Sequence, residues 1–128
     1  RFGLFDMILI KDNHVDFAGG ITQALNQTRK YLDEKKLDLE IEIEVRNMEE
    51  LDEALKSGIA SRILIDNFTP EKMKEAVAFV NGRVKTEASG GITLDNLRQY
   101  AETGVDFISS GALTHHIKSL DLSLKALD

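Results

Sequence analysis

Five short apolar runs, at residues 7–10, 39–45, 62–65, 83–86 and 105–108, alternate with segments whose apolar residues recur every three or four positions. The runs have strand length. The intervening apolar sets, such as Leu51, Ala54 and Leu55, or Met73, Ala76, Val77 and Val80, fall on one face of a helix. The last four runs begin at 39, 62, 83 and 105, about 22 residues apart, which leaves room for one helix and two short loops per unit. A helical crossover between neighbouring strands makes them parallel, so the chain reads as about five parallel βα units. Such a repeat suits either an open doubly wound sheet or part of a (β/α) barrel. A closed barrel takes roughly 250 residues; this chain has 128.

The punctuation between the runs agrees with helices. Asn47 with Glu50 three residues on, Thr69 before Pro70, and Thr93 are expected N-caps. Gly58, Gly82 and Gly104 are expected at helix ends, where a left-handed residue fits. The one long connection, from about residue 12 to residue 38, is mostly helical by pattern, and no linker or second domain interrupts the chain. The sequence opens at Arg1 inside an apolar pattern and is read here as a fragment.

With 42% hydrophobic and 30% charged residues the chain has a globular balance, and no apolar run approaches the roughly 20 residues that span a bilayer. No signal-peptide pattern is present, so the cytoplasm is the default compartment. A formal net charge of −6 disfavours a nucleic-acid surface and leaves small molecules as the expected partners. Without cysteine, disulfides and thiolate metal sites are excluded.

Polar groups follow each apolar run: Lys11-Asp12-Asn13-His14, Glu44 with Arg46-Asn47, Asp66-Asn67, Glu87 with Ser89-Gly90-Gly91, and Ser109-Ser110-Gly111. One polar strand end means little, whereas five in succession point to a functional rim, because parallel α/β folds gather the C-terminal ends of their strands on one side. In Ser89-Gly90-Gly91-Ile92-Thr93 small residues let backbone N–H groups approach a phosphate at a helix start; a tight turn is the competing account of the glycines. Ser110-Gly111 is placed to supply the neighbouring half of that cup. Lys11, partly withdrawn from water at a strand end, requires an anion, either a ligand or a protein carboxylate such as Glu44 or Asp66. Glu44 and Asp66 are alternatively ligands for ribose hydroxyls or for Mg²⁺ on a pyrophosphate. Glu40 and Glu42 share the face of Glu44 by alternation, so spacing does not single it out. His14 falls in a loop and His115 and His116 near a helix start, none with zinc-ligand spacing, although His115 can approach the rim near Gly111. The run 33–36 is a solvated helix end.

Arg1-Phe2-Gly3-Leu4, Leu9-Ile10-Lys11-Asp12-Asn13-His14, Glu42-Ile43-Glu44-Val45, Leu64-Ile65-Asp66-Asn67-Phe68, Glu87-Ala88-Ser89-Gly90-Gly91-Ile92 and Ile108-Ser109-Ser110-Gly111-Ala112-Leu113-Thr114-His115 together resemble quinolinate phosphoribosyltransferase, also called nicotinate-nucleotide pyrophosphorylase. The resemblance covers essentially the whole chain. It implies that residues 1–128 are the C-terminal part of a catalytic domain, a partial TIM-like barrel, with an N-terminal domain and the first barrel units outside them. It also implies a reaction of quinolinate with phosphoribosyl pyrophosphate, assisted by Mg²⁺, that gives nicotinate mononucleotide, pyrophosphate and CO₂. On that pattern Arg1 and Lys11 hold the pyridine dicarboxylate, Glu44 and Asp66 flank the ribose and Mg²⁺-pyrophosphate, and Ser89, Gly90, Gly91 and Gly111 contact phosphate. Lys11, Glu44 and Asp66 are the expected catalytic set, with Ser110 and His115 added to the substrate contacts. The family works as a dimer whose sites borrow an arginine from the partner's N-terminal domain, so these 128 residues are expected to be inactive alone. The competing readings are another phosphate-binding barrel enzyme, which Lys11-Asp12-Asn13-His14 disfavours, and a non-catalytic half-barrel that binds a phosphorylated ligand.

Overall fold

In Glu40-Ile41-Glu42-Ile43-Glu44-Val45 acidic and apolar residues alternate strictly, the period of an extended chain with two unlike faces. The computed structural model, which describes residues 7–109, makes this segment strand β2 (Glu40–Val45) and buries Ile41, Ile43 and Val45 almost completely. Around it the order is β1 (Met7–Ile10), α1 (Asp12–Ala18), α2 (Ile21–Lys35), β2, α3 (Met48–Ser57), β3 (Arg62–Asp66), α4 (Pro70–Val80), β4 (Lys85–Ser89), α5 (Leu97–Ala101) and β5 (Phe107–Ile108).

All strand pairings are parallel and the spatial order is β1-β2-β3-β4-β5. A doubly wound sheet reverses its direction of growth at a switch point, and this sheet does not, so the arrangement is that of a partial barrel, open among the described residues. One face carries Ile10, Ile41, Ile43, Val45, Ile63, Ile65, Ala88 and Ile108, which form a single core with Leu25 and Leu32 of α2, Leu51 of α3 and Met73 and Val80 of α4. On the other face the register sets out rows: Leu9, Glu42, Arg62 and Lys85; then Glu44, Leu64, Glu87 and Phe107; then Asp66 and Ser89. Leu9 on that face is 40% exposed, in contrast to Ile10 beside it at 0%.

Local signals set most boundaries. The Asn47 side chain accepts from the Glu50 N–H at 2.8 Å and the Thr69 hydroxyl from the Lys72 N–H at 3.2 Å, so both caps form as expected. Gly58 closes α3 at φ 69°. Asn81, rather than Gly82, closes α4, and α5 ends at Glu102, with the left-handed Gly104 two residues further on. The connection 12–38 is two helices, broken where Gly19 and Gly20 take φ values of 101° and 142°. His14 therefore lies in the first turns of α1 and not in a loop.

Two expectations fail for identifiable reasons. The fourth strand is Lys85–Ser89 instead of 83–86, because the β3 ladder continues to pair Asp66 with Ser89 although Lys85-Thr86-Glu87-Ala88-Ser89 has no apolar run to mark it. Thr93 caps no helix: its N–H donates to Asn96 Oδ1 at 2.8 Å and its carbonyl accepts the Asn96 N–H at 3.2 Å, a turn that delays α5 until Leu97.

Tyr100 of α5 donates its hydroxyl to the Phe68 carbonyl at 2.5 Å in a buried setting, tying α5 to the loop after β3. Tyr100→Phe is therefore expected to leave that carbonyl unpaired at a cost of roughly 1–3 kcal/mol, read as a lowered urea midpoint of the full-length protein.

Candidate active site

Parallel pairing brings distant residues to one edge. Lys11 follows β1, Glu44 lies near the end of β2, and Asp66 and Ser89 are the last residues of β3 and β4. Ile10 pairs with Ile43, Val45 with Ile65, and Asp66 with Ser89, so all four stand at the C-terminal edge of the sheet, with Ser109 just past β5.

Glu44 is half-buried, and its Oε1 accepts the Asp12 N–H at 2.9 Å, which fastens the start of α1 to β2. Burial pushes its carboxyl above the ordinary value; the Asp12 N–H opposes this, and the charges of Asp66 and Asp12 add to it. Asp66, also half-buried, accepts the Ser89 hydroxyl at 3.0 Å. The charge of Asp66 thus raises the cost of ionising Glu44 beside it.

The loop 89–91 lies directly against Asp66 and Asn67. The Asn67 N–H donates to the Ser89 carbonyl at 2.8 Å, and Asn67 itself is left-handed at φ 62°. A Cβ on Gly90 would stand 2.7 Å from Asn67 Oδ1, 2.8 Å from Asn67 N and 2.8 Å from Asp66 Oδ1, and Gly90 has φ 85°, so only glycine fits. Neither the Gly90 nor the Gly91 N–H makes a hydrogen bond among the described residues. The helix that was expected to add its dipole here begins only at Leu97 and has 5 residues, so these backbone donors, and not a helix terminus, are what the loop offers an anion.

Lys11 differs from its expected surroundings. Its side chain is exposed and forms no ion pair with another described residue, because it stands one residue past β1 at the N-cap of α1, beyond the packed part of the sheet. The structural ion pair with Glu44 or Asp66 is thus not formed. Arg46, also on the rim, points elsewhere: its guanidinium takes Asp16 at 2.9 Å and Glu50 at 2.7 Å and clamps α1 to α3. Below the rim lies a group that the sequence pattern did not reveal. Glu42 and Glu87 are buried, Arg62 Nη1 pairs with Glu87 Oε1 at 3.3 Å, and the Arg62 guanidinium stacks over the Phe107 ring at 3.8 Å. The signal was the alternation Lys85-Thr86-Glu87-Ala88-Ser89, legible once Thr86 and Ala88 are known to face the core.

Arg1, Ser110, Gly111, His115 and His116 lie outside the described residues. Among the described residues no group of three or more His, Cys, Asp or Glu side chains converges as a metal cage, and no helix is long and apolar enough to cross a membrane.

The family model for the quinolinate phosphoribosyl transferase C-terminal domain matches residues 1–125. The chain belongs to that family. It is 45% identical to the chloroplastic nicotinate-nucleotide pyrophosphorylase [carboxylating] of Arabidopsis thaliana, over 98% of this chain and 40% of that one. It is 43% identical to the probable nicotinate-nucleotide pyrophosphorylase [carboxylating] of Bacillus subtilis, over 97% of this chain and 42% of the relative. The solved nicotinate-nucleotide pyrophosphorylase of Francisella tularensis superposes with a TM-score of 0.75 at 38% identity, covering 89% of this chain and 40% of that structure. The chain thus spans about two fifths of the length of these relatives.

In this family member the charges beneath the rim make stability depend on pH. Burial, then the hydrogen bond and charge of Glu87, push the Glu42 carboxyl up to about 9 from an ordinary 4.5, against the pull of Arg62. The folded state therefore keeps a proton that the unfolded chain releases, and this contribution to stability is complete below about pH 4.5 and is lost as pH rises through about 9. Glu42→Gln, which cannot ionise, is expected to flatten the decline of the urea midpoint between pH 5 and pH 9 in the full-length protein; an unchanged slope would show that Glu42 is not the group that keeps a proton on folding.

Proposed function

We propose that the protein containing this chain transfers the phosphoribosyl group of phosphoribosyl pyrophosphate to quinolinate, with loss of CO₂, giving nicotinate mononucleotide and pyrophosphate. The observation that carries the reading is the meeting, at one edge of the sheet, of the Glu44 and Asp66 carboxylates with the unspent N–H groups of Gly90 and Gly91. Acids beside anion-binding donors suit a substrate that becomes cationic at its sugar while an anion leaves.

In the step we infer, the quinolinate ring nitrogen forms the new bond to the ribose anomeric carbon, and the bond to pyrophosphate breaks with its electron pair on the leaving oxygen; the carboxylate next to the now cationic nitrogen then leaves as CO₂, its bonding pair stays on the ring carbon, and that carbon takes a proton from water. Positive charge develops on the ribose as the bond to pyrophosphate lengthens. A carboxylate about 4 Å away, at an effective dielectric of about 20, lowers the energy of such a charge by about 4 kcal/mol. Glu44 and Asp66 have that role, and the Ser89 hydroxyl and the Asp12 N–H keep the two carboxylates aimed. Gly90 and Gly91 would receive a phosphate, together with Ser110 and Gly111. Lys11, exposed and uncommitted among the described residues, would meet a quinolinate carboxylate with Arg1, and His115 would join the substrate contacts near Gly111.

Mg²⁺ fits this donor set, since two hard carboxylates that repel each other, with pyrophosphate oxygens and water, complete its shell without a protein cage. Bound there, it would offset the charge of the departing pyrophosphate. A homodimer in the cytoplasm is the working form we propose, the dimer on the family resemblance and the compartment on the absence of a signal-peptide pattern in the sequence. Light scattering and localisation of the full-length protein check it, and the chloroplastic name of the Arabidopsis relative makes an organelle the informative alternative.

The decisive experiment is quinolinate-dependent release of pyrophosphate and CO₂ by the full-length protein, and its absence would overturn the reading. Within it, Lys11→Ala is expected to raise the quinolinate KM by roughly ten- to hundredfold, the equivalent of a lost charge-assisted contact of roughly 1.5–3 kcal/mol. The melting temperature should hardly move, because the side chain is exposed.

A further inference from the structure

Asn67 is exposed, stands on the expected rim with no role assigned to it by the sequence, and occupies one of three non-glycine positions with positive φ among the described residues. The other two, Lys36 and Asn81, close helices α2 and α4, where a left-handed residue ends hydrogen bonding. Asn67 closes no helix. It sits between the last residue of β3 and the buried Phe68, next to the loop proposed to hold phosphate.

What its conformation achieves can be read from its contacts. The left-handed turn at Asn67 aims its N–H across to the Ser89 carbonyl at 2.8 Å, one step beyond the ladder pair Asp66–Ser89. The same turn lets Gly90 approach so closely that a Cβ there would stand 2.7 Å from Asn67 Oδ1 and 2.8 Å from Asn67 N. Asp66, one residue earlier, is tied to the same loop through the Ser89 hydroxyl at 3.0 Å. Two hydrogen bonds and one glycine-only approach thus join the end of β3 to the end of β4.

We infer that Asn67 is a positioning residue: its left-handed backbone, locked onto Ser89 and Gly90, sets the Asp66 carboxylate and the Gly90-Gly91 donors at one fixed separation, so that the sugar-facing and phosphate-facing parts of the site act as a unit. This rests on the reading of the site as one for phosphoribosyl pyrophosphate. Asparagine suits the position because it tolerates left-handed backbone better than other residues with a side chain, and glycine tolerates it without strain. Alanine does not. Lys11 stands two strands from β3, so the quinolinate side of the site lies outside the lock.

The test compares Asn67→Ala, Asn67→Gly and Gly90→Ala in the full-length protein. Asn67→Ala is expected to lower kcat/KM for phosphoribosyl pyrophosphate about tenfold while the quinolinate KM stays within twofold, and Gly90→Ala to do the same or worse. Asn67→Gly, which keeps the backbone and removes the side chain, should restore kcat/KM to within threefold of the parent. Equal loss in Asn67→Gly and Asn67→Ala would overturn the inference in favour of a side-chain contact. Wild-type kinetics for Asn67→Ala would also overturn it, as would a loss shared equally by both substrates and tracking melting temperature. If the parent itself fails to turn over quinolinate, the reading of function falls and the inference is judged on binding of inorganic pyrophosphate to the same proteins. There the parent and Asn67→Gly should bind alike and Asn67→Ala at least fivefold more weakly; any other order overturns it.

Discussion

The parallel ladder from β1 to β5 is the constraint on which the other features depend. Because all five strands run the same way in sequential order, every C-terminal strand end reaches one edge, and every helical return crosses the same face. The apolar half of each strand then has one place to go, against α2, α3 and α4. The polar half faces the other side, and the register decides which charges become neighbours. Glu44, Asp66 and Ser89 come together from three strands for this reason, although 45 residues of sequence separate the first from the last.

That arrangement also has an electrostatic consequence. Glu42 and Arg62 lie one row below Glu44, and Glu87 shares the row of Glu44 two strands away, all where an isolated charge would be costly. The observed solution combines an ion pair, a ring stacked on the guanidinium and a carboxyl that keeps its proton. The acids Glu44 and Asp66 differ because they are only half-buried: Glu44 accepts the Asp12 N–H and also hydrogen-bonds Asp66, which accepts the Ser89 hydroxyl. The lower group has committed most of its polar atoms to itself, although Glu42 Oε2 and Arg62 Nε remain buried without a partner.

The edge is divided into unlike parts. Lys11 projects from one side of the sheet with no carboxylate drawn to it, and the glycine loop on the other side offers backbone donors. Between them stand two acids. Arg46, which composition alone would place among the site cations, is instead consumed by Asp16 and Glu50 and links α1 to α3.

The sequence by itself determined the parallel βα repeat, four of the five strands to within two residues, the caps at Asn47 and Thr69, and the family, because periodicity, caps and motifs are local properties of the chain. It also determined which residue types end each strand. Local pattern did not reach β4, whose Lys85-Thr86-Glu87-Ala88-Ser89 becomes a strand through its pairing with β3, nor the late start of α5, where Asn96 forms a turn with Thr93 before the helix can begin. It could not decide between a reversing and a sequential sheet, since both are written with the same alternation of strands and helices; only the strand order excludes the first. Nor could it say which glutamate of β2 lies deep and which lies at the rim, or that Lys11 stays in water. Those outcomes depend on register and on what packs above each position, and register is a relation between strands that no single segment contains.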